Sequence, residues 1–251
     1  MASTDAPAYV YLEHDDANTQ MHVQFVLNAA RANPEAPICI DLEFDGHDPD
    51  ALPLSLIQLA VQDSPSAIAV LVFDAVRVPN IVQRFKPLLE AERPLKVMHG
   101  ALMDAKVLAK VGIRLRGLFD TQLAHWLLHS CQQSQYQRAI EHAVRERLGV
   151  SRPALPRGFY NTQHVWMQRP LPTYALAYAA NDVRDMPALF EQMRQRATQQ
   201  QFATILQRGV QPRARHRETP AGCSERVFRL TPRHPRAGDC GAARASPKKR
   251  G

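Results

Sequence analysis

The sequence predicts a mixed α/β domain followed by a basic tail, and three observations carry that reading. Apolar, β-branched runs lie close together at residues 38–44, 54–61 and 67–73, a spacing that suits an antiparallel meander. Short apolar runs then alternate with segments whose apolar residues recur every three or four positions, the signature of strands alternating with helices. Beyond about residue 205 the bulky apolar residues thin out, chiefly to Val227, Phe228 and Leu230, and the chain becomes rich in Arg, Pro, Gly and Ala. Such a stretch cannot bury enough surface to fold alone. The expected organisation is a folded domain over residues 1–205 and a disordered basic tail over residues 206–251.

The charge follows the same division. Residues 206–251 hold 12 Lys and Arg against 3 Asp and Glu, which leaves 19 against 21 for residues 1–205, so the net charge of +7 belongs to the tail. No apolar run approaches the ~20 residues needed to span a bilayer, and the chain opens without a basic stretch leading into an apolar one, so neither a membrane span nor a secretory signal is expected. Cys39, Cys131, Cys223 and Cys240 are scattered and form no C-x-x-C pair, which suits reduced thiols in an intracellular protein, nuclear or cytoplasmic.

Taken in order, residues 9–12 are a strand candidate, and Asn18 is placed to cap a helix reaching about Ala32, with Met21, Phe25, Val26, Ala29 and Ala30 on one face. Ile38–Phe44 reads as a buried strand bounded by Pro37 and Gly46, and residues 45–50 turn the chain into the second and third strands. Pro79 opens a helix with Ile81, Phe85, Leu88 and Leu89 at helical spacing. After Pro94 come a strand at residues 95–98 and a helix holding Asp104, Val107, Leu108 and Val111, ended by Gly112. Residues 115–119 form another strand, and Asp120 caps a helix that buries Leu123, Ala124, Leu127 and Leu128. A further amphipathic helix spans residues 133–148, and residues 149–172, rich in Pro and polar side chains, read as an irregular loop. The last strong helix begins near Pro172 and contains Leu176, Tyr178, Ala179 and Val183; Pro187 removes a hydrogen bond to the Val183 carbonyl and should kink or end it.

Asp41 and Glu43 are two apart on the first of the meander strands, so they project from one face. Two carboxylates in such a place repel each other and lose solvation unless a cation neutralises them. Hard oxygen ligands suit Mg²⁺ or Mn²⁺. By itself the pair reads more readily as an acidic strand end facing solvent. Tyr178 and Asp182 lie four apart on the last helix and share a face, and Asp104 begins a helix that follows a strand.

At these residues the chain resembles the DEDD 3′–5′ exonucleases, in the tyrosine subtype that includes ribonuclease D and the exonuclease domain of Werner-type proteins. The matching stretches are Ile40-Asp-Leu-Glu-Phe44 with Leu54-Ser-Leu-Ile-Gln-Leu59, Lys96-Val-Met-His-Gly-Ala-Leu-Met-Asp104, Phe119-Asp-Thr-Gln-Leu-Ala124, and Trp166-Met-Gln-Arg-Pro-Leu171 leading into Tyr178-Ala-Ala-Asn-Asp182. The likeness covers roughly residues 9–195. The histidine subtype carries its histidine five residues before the last aspartate, where this chain has Ala177, so Tyr178 marks the tyrosine subtype.

The resemblance implies a ribonuclease H-like fold and hydrolysis from a free 3′ end of nucleic acid, RNA or DNA and single-stranded, to nucleoside 5′-monophosphates with two divalent cations. It implies Asp41 as the bridging ligand, Glu43 and Asp182 completing one site, and Asp104 serving the other. Tyr178 would orient the attacking water, since a phenol of pKa about 10 is a poor base at neutral pH. RNA is slightly favoured over DNA as substrate, and a catalytically silent binding or scaffolding member of the same fold is the competing reading.

The chain departs from the family in three places. Pro172 stands where relatives carry Ser or Thr, the loop before Trp166 lacks the lysine expected of ribonuclease D relatives, and only the basic tail follows where bacterial ribonuclease D has helical RNA-binding domains. The remaining candidates keep two readings each. His99 either touches the terminal nucleotide, as the resemblance suggests, or hydrogen-bonds at a helix entry. Arg169 either contacts phosphate or bonds its own loop. Leu42 points into the core by strand alternation while its backbone lines the site. Asp120 is read as a cap rather than a ligand, and Trp166 as a packing anchor. Cys223, His216, His234 and Cys240 lack zinc-finger spacing. The tail adds electrostatic affinity for nucleic acid or serves as a nuclear address through Ser246-Pro-Lys-Lys-Arg250, or does neither.

Overall fold

A sheet of six strands orders the chain: β1 (Val10–Leu12), β2 (Ile38–Phe44), β3 (Leu54–Ser64), β4 (Ala67–Asp74), β5 (Lys96–Met98) and β6 (Leu118–Asp120), laid side by side as 1-4-3-2-5-6. The computed structural model describes residues 9–46, 51–64, 67–128, 144, 147–149, 155–156, 159 and 164–209. All of these fall in the first compact unit of the chain, Met1–Ala214. The expected meander is present, with β2, β3 and β4 as antiparallel neighbours. The other pairs, β1 with β4, β2 with β5 and β5 with β6, are parallel and therefore need crossover connections. Helices supply them: α1 (Ala17–Ala32), α2 (Ile81–Arg84), α3 (Lys86–Leu89) and α4 (Leu102–Lys110).

Strand alternation sorts the core into two layers. Ile40, Leu42, Ile57, Leu59, Leu71 and Phe73 face α1 to α4. Cys39, Leu56, Ala60, Val70, Val72 and Val97 face the other way. That second layer is covered by α5 (Thr121–Leu128), α6 (Thr173–Arg184), α7 (Met186–Arg196) and α8 (Gln199–Arg208). The result is the α/β architecture expected from the resemblance to ribonuclease H-like nucleases. No helix among the described residues is long and apolar enough to cross a membrane.

Several boundaries differ from expectation for local reasons. The cap of α1 is Asp16, whose side chain accepts from the Thr19 amide at 2.8 Å, and not Asn18. The helix expected after Pro79 is two short ones meeting at Phe85, because Pro87 sits in the first turn of α3, where it cannot continue an earlier ladder. β6 begins three residues later than expected, since Gly117 (φ +57°) turns the chain just before it, pressed against the Glu92 backbone. Pro187 acts as anticipated: α6 ends at Arg184, and Pro187 lies in the first turn of α7. α8 was not expected. It carries a reciprocal cap between Thr198 and Gln201 and runs to Arg208, across the boundary anticipated at residue 205. The expected helix at residues 133–148, apart from Val144, Arg147 and Leu148, lies outside the described residues, as do most of the loop before residue 164, the chain beyond residue 209, Cys131, Cys223, Cys240, His216 and His234.

Candidate metal centre

Asp41 and Glu43 leave β2 on the face that α6 covers, opposite Gln58 and Leu56 of β3 in the antiparallel register. Immediately after Glu43 the register slips: Glu43 pairs with Leu56 but Phe44 with Leu54, so Ser55 is an extra residue in β3. Such a bulge bends the strand and re-aims the side chains beside it. α6 then brings Asp182, buried, down onto the same face. One carboxylate oxygen from each of Asp41, Glu43 and Asp182 lies within 4.8 Å of the other two. Asp104, in the first turn of α4, falls outside that trio but close enough for its charge to act on Glu43.

The electrostatics are those of crowded carboxylates. Burial holds the Glu43 carboxyl well above its usual range, and the charges of Asp182 and then Asp104 push it further. Burial likewise raises Asp104 to about 7, with Asp120 adding to the rise, while hydrogen bonds from its own backbone amide and that of Leu42 work the other way. Leu42 thus does what alternation suggests: its side chain is buried in the α1–α4 layer and its backbone reaches Asp104. Carboxylates whose ionisation is suppressed by burial, as at Glu43 and Asp104, fit a divalent cation, which would restore the charged forms. Tyr178 sits one turn before Asp182 on α6, half-buried against the core.

The neighbouring residues divide clearly. His99 Nδ1 meets Thr121 Oγ1 at 2.9 Å, and the Thr121 hydroxyl donates to the Met98 carbonyl at 3.1 Å. A hydroxyl has one proton to give, so Nδ1 is the donor in the first bond and neutral His99 keeps its lone pair on Nε2. His99 is therefore at least a hydrogen bonder at the α5 entry. Asp120 is the cap it was taken for: its carboxylate accepts from the amides of Gly100 (2.9 Å), Ala101 (3.2 Å), Gln122 (2.8 Å) and Leu123 (3.3 Å). It ties the turn before α4 to the start of α5.

Arg169 is a correction. Its Nε and Nη2 donate to the two oxygens of buried Asp74 at 2.5 and 2.9 Å, its Nη1 to the carbonyls of Trp166 (2.7 Å) and Gln168 (2.8 Å), and Nη2 also to Ser55. All five N–H groups of the guanidinium are used inside the protein, which leaves none for phosphate. The extra residue of the bulge takes part, since the Ser55 hydroxyl donates to the Trp166 carbonyl. Trp166 is buried and packs edge-on to Phe159, an anchor as expected. This clamp fixes the segment that feeds into α6. Nothing local in the sequence announces it, because its partners are 95 and 114 residues apart.

Comparison with known proteins comes out on the same side. The sequence model of a 3′–5′ exonuclease family matches residues 18–197. The chain is 32% identical over 175 residues to ribonuclease D of Xanthomonas oryzae pv. oryzae, covering 69% of this chain and 43% of that protein. Among solved structures it is similar to Escherichia coli RNase D, an exoribonuclease involved in structured RNA processing, with 24% identity, a TM-score of 0.57, and coverage of 75% of this chain and 44% of that one. It is also similar to Brucella melitensis NrnC with bound Mg²⁺, with 25% identity, a TM-score of 0.51, and coverage of 68% and 80%. The chain spans less than half the length of the curated relatives it matches.

Proposed function

The chain belongs to the DEDD 3′–5′ exonuclease family, and from that premise we propose that it removes nucleotides one at a time from the 3′ end of single-stranded nucleic acid, RNA ahead of DNA, releasing nucleoside 5′-monophosphates. The observation that carries this reading is the convergence of Asp41, Glu43 and Asp182 within 4.8 Å, with Tyr178 one turn away on α6. The relatives' own name, ribonuclease D, supports RNA, and the Mg²⁺ bound to the NrnC structure supports the class of cation.

In this reading Asp41, Glu43, Asp182 and Asp104 would hold two divalent cations, Mg²⁺ or Mn²⁺. Held there, the cations would supply a water activated at neutral pH and charge stabilisation at the leaving 3′ oxygen. Tyr178 hydrogen-bonds the attacking water and sets its line of approach, leaving the proton to other acceptors. Burial raises the pKa of both Glu43 and Asp104, so cation binding there would favour their charged forms. The basic residues 206–251 add salt-sensitive attraction to the phosphate backbone.

The test is a degradation ladder. Single-stranded RNA and DNA oligonucleotides labelled at the 5′ end are incubated with Mg²⁺ or Mn²⁺, beside an Asp41→Ala/Glu43→Ala control. The expected result is a ladder shortening by one nucleotide from the 3′ end, faster on RNA and absent in the control. Retained binding with no ladder under either metal would overturn the enzyme reading in favour of a silent binder. Cleavage of substrates with a blocked 3′ hydroxyl would make it an endonuclease.

A further inference from the structure

Gln58 sits in the middle of β3 with no exposed surface, and among the described residues neither its side-chain nitrogen nor its oxygen has a hydrogen-bond partner. Its surroundings explain why none is at hand. Along its own strand the residues sharing its face are Leu56 and Ala60, and across the sheet on β4 it faces Val72. Across the sheet on β2 it faces Asp41. Directly opposed residues of an antiparallel pair emerge on one face with Cβ atoms about 4.5–5.5 Å apart. Within the sheet the amide thus has hydrocarbon on three sides and Asp41 on the fourth, beneath α6.

A buried amide without a partner destabilises a fold, and an apolar side chain of the same size would serve the core better. The group therefore earns its place in a state other than the cation-free one. We propose that Gln58 is a positioning residue for Asp41: in the loaded site its Nε2 donates to one carboxylate oxygen of Asp41 and selects which oxygen is left to be shared as a ligand. The inference rests on the metal-dependent reading of the cluster given above. The same geometry accounts for the residue type. Glutamate here would add a further negative charge to a site already crowded with them, and leucine or methionine would supply no donor. A partner outside the first ring of ligands commonly changes metal affinity by about 10–100-fold, and that is the size of effect assigned to Gln58.

The test separates positioning from support of the fold by measuring metal binding without nucleic acid. Mn²⁺ is titrated calorimetrically into the full chain and into Gln58→Met and Gln58→Leu, and each protein is melted in EDTA and in Mn²⁺. The expected result is a melting temperature in EDTA equal to or above wild type, a Mn²⁺ affinity about 10–100-fold weaker, and a smaller Mn²⁺-induced rise in melting temperature. Unchanged Mn²⁺ affinity in a folded variant would overturn the inference, whatever happens to its stability, and would leave the amide to a buried water or to packing. Failure of wild type itself to bind Mn²⁺ would instead sink the metal reading of the cluster, and the Gln58 inference with it. Should neither variant fold, the side-chain amide resonances of Gln58 in wild type decide the matter. They shift on addition of Mg²⁺ if the amide engages Asp41 and stay in place if it does not.

Discussion

Removing the Asp74 carboxylate tests how the segment feeding α6 is held. Asp74 has no exposed surface and accepts hydrogen bonds from Arg169 Nε and Nη2, from the Tyr11 hydroxyl, and from the amides of Val76 (2.9 Å) and Arg77 (3.0 Å). In Asp74→Ala the Arg169 guanidinium keeps its charge and loses its counterion, in a place where its side chain is only 9% exposed. A buried ion pair broken from one side costs about 3–5 kcal/mol, because the remaining charge is stranded. At about 2–4 °C per kcal/mol for a domain of this size, the melting temperature should fall by roughly 6–20 °C. Urea unfolding of Asp74→Ala, Arg169→Met and the double variant measures the coupling. The double variant should lose less than the two single losses added together, since removing the second partner relieves the stranded charge. A loss below about 1 kcal/mol for Asp74→Ala, or strict additivity, would refute the clamp. Weakened RNA binding by a fully stable Arg169→Met would restore the phosphate-contact reading.

Three further outcomes follow from the same geometry. Asp104 is raised from the usual 3.8 to about 7, so between roughly pH 4 and pH 7 the folded protein holds a proton that the unfolded chain has released. Cation-free stability should therefore fall as pH rises through that window, and Asp104→Asn should flatten the fall in urea midpoints measured in EDTA; an unchanged slope would show that the burial of this carboxyl has been misjudged. Tyr178→Phe should lower the rate of ladder formation by about 100-fold while leaving Mn²⁺ affinity within about twofold, and a fully active variant would remove Tyr178 from the reaction. Gly117→Ala would place a Cβ 2.2 Å from the Glu92 carbonyl oxygen at φ +57°, and should destabilise the protein by about 2 kcal/mol or more; an unshifted melting curve would disprove that close approach.

The strand bearing Asp41 and Glu43 was legible to the residue, because Pro37 and Gly46 bracket the apolar run Ile38–Phe44, whose only charges are Asp41 and Glu43. The break after Arg184 was legible too, since Pro187 dictates it by its missing N–H. Pro87 obeys the same rule and splits the helix expected after Pro79, but the apolar spacing of Ile81, Phe85 and Leu88 masked it. α8 hid in a polar stretch whose one plain signal was the Thr198 and Gln201 cap. The four carboxylates and Tyr178 could be gathered from their spacing and from the family likeness, whereas the Arg169–Asp74 clamp could not. Pairing across 95 residues depends on which strands become neighbours, and periodicity says nothing about that. Gln58 was visible as a letter in a matching stretch, but its isolation appears only once Leu56, Ala60 and Val72 close around it.

The carboxylate trio joins residues 41 and 43 to residue 182, more than half the sequence away. At a synthesis rate of about 5–20 residues per second, roughly 7–28 s separate the emergence of Glu43 from that of Asp182. For that interval a growing chain holds Asp41 and Glu43 without the carboxylate that closes the cluster. The cluster is complete only with α6 in place on the sheet. Assembly of the acidic cluster is thus timed by the order in which its parts are made.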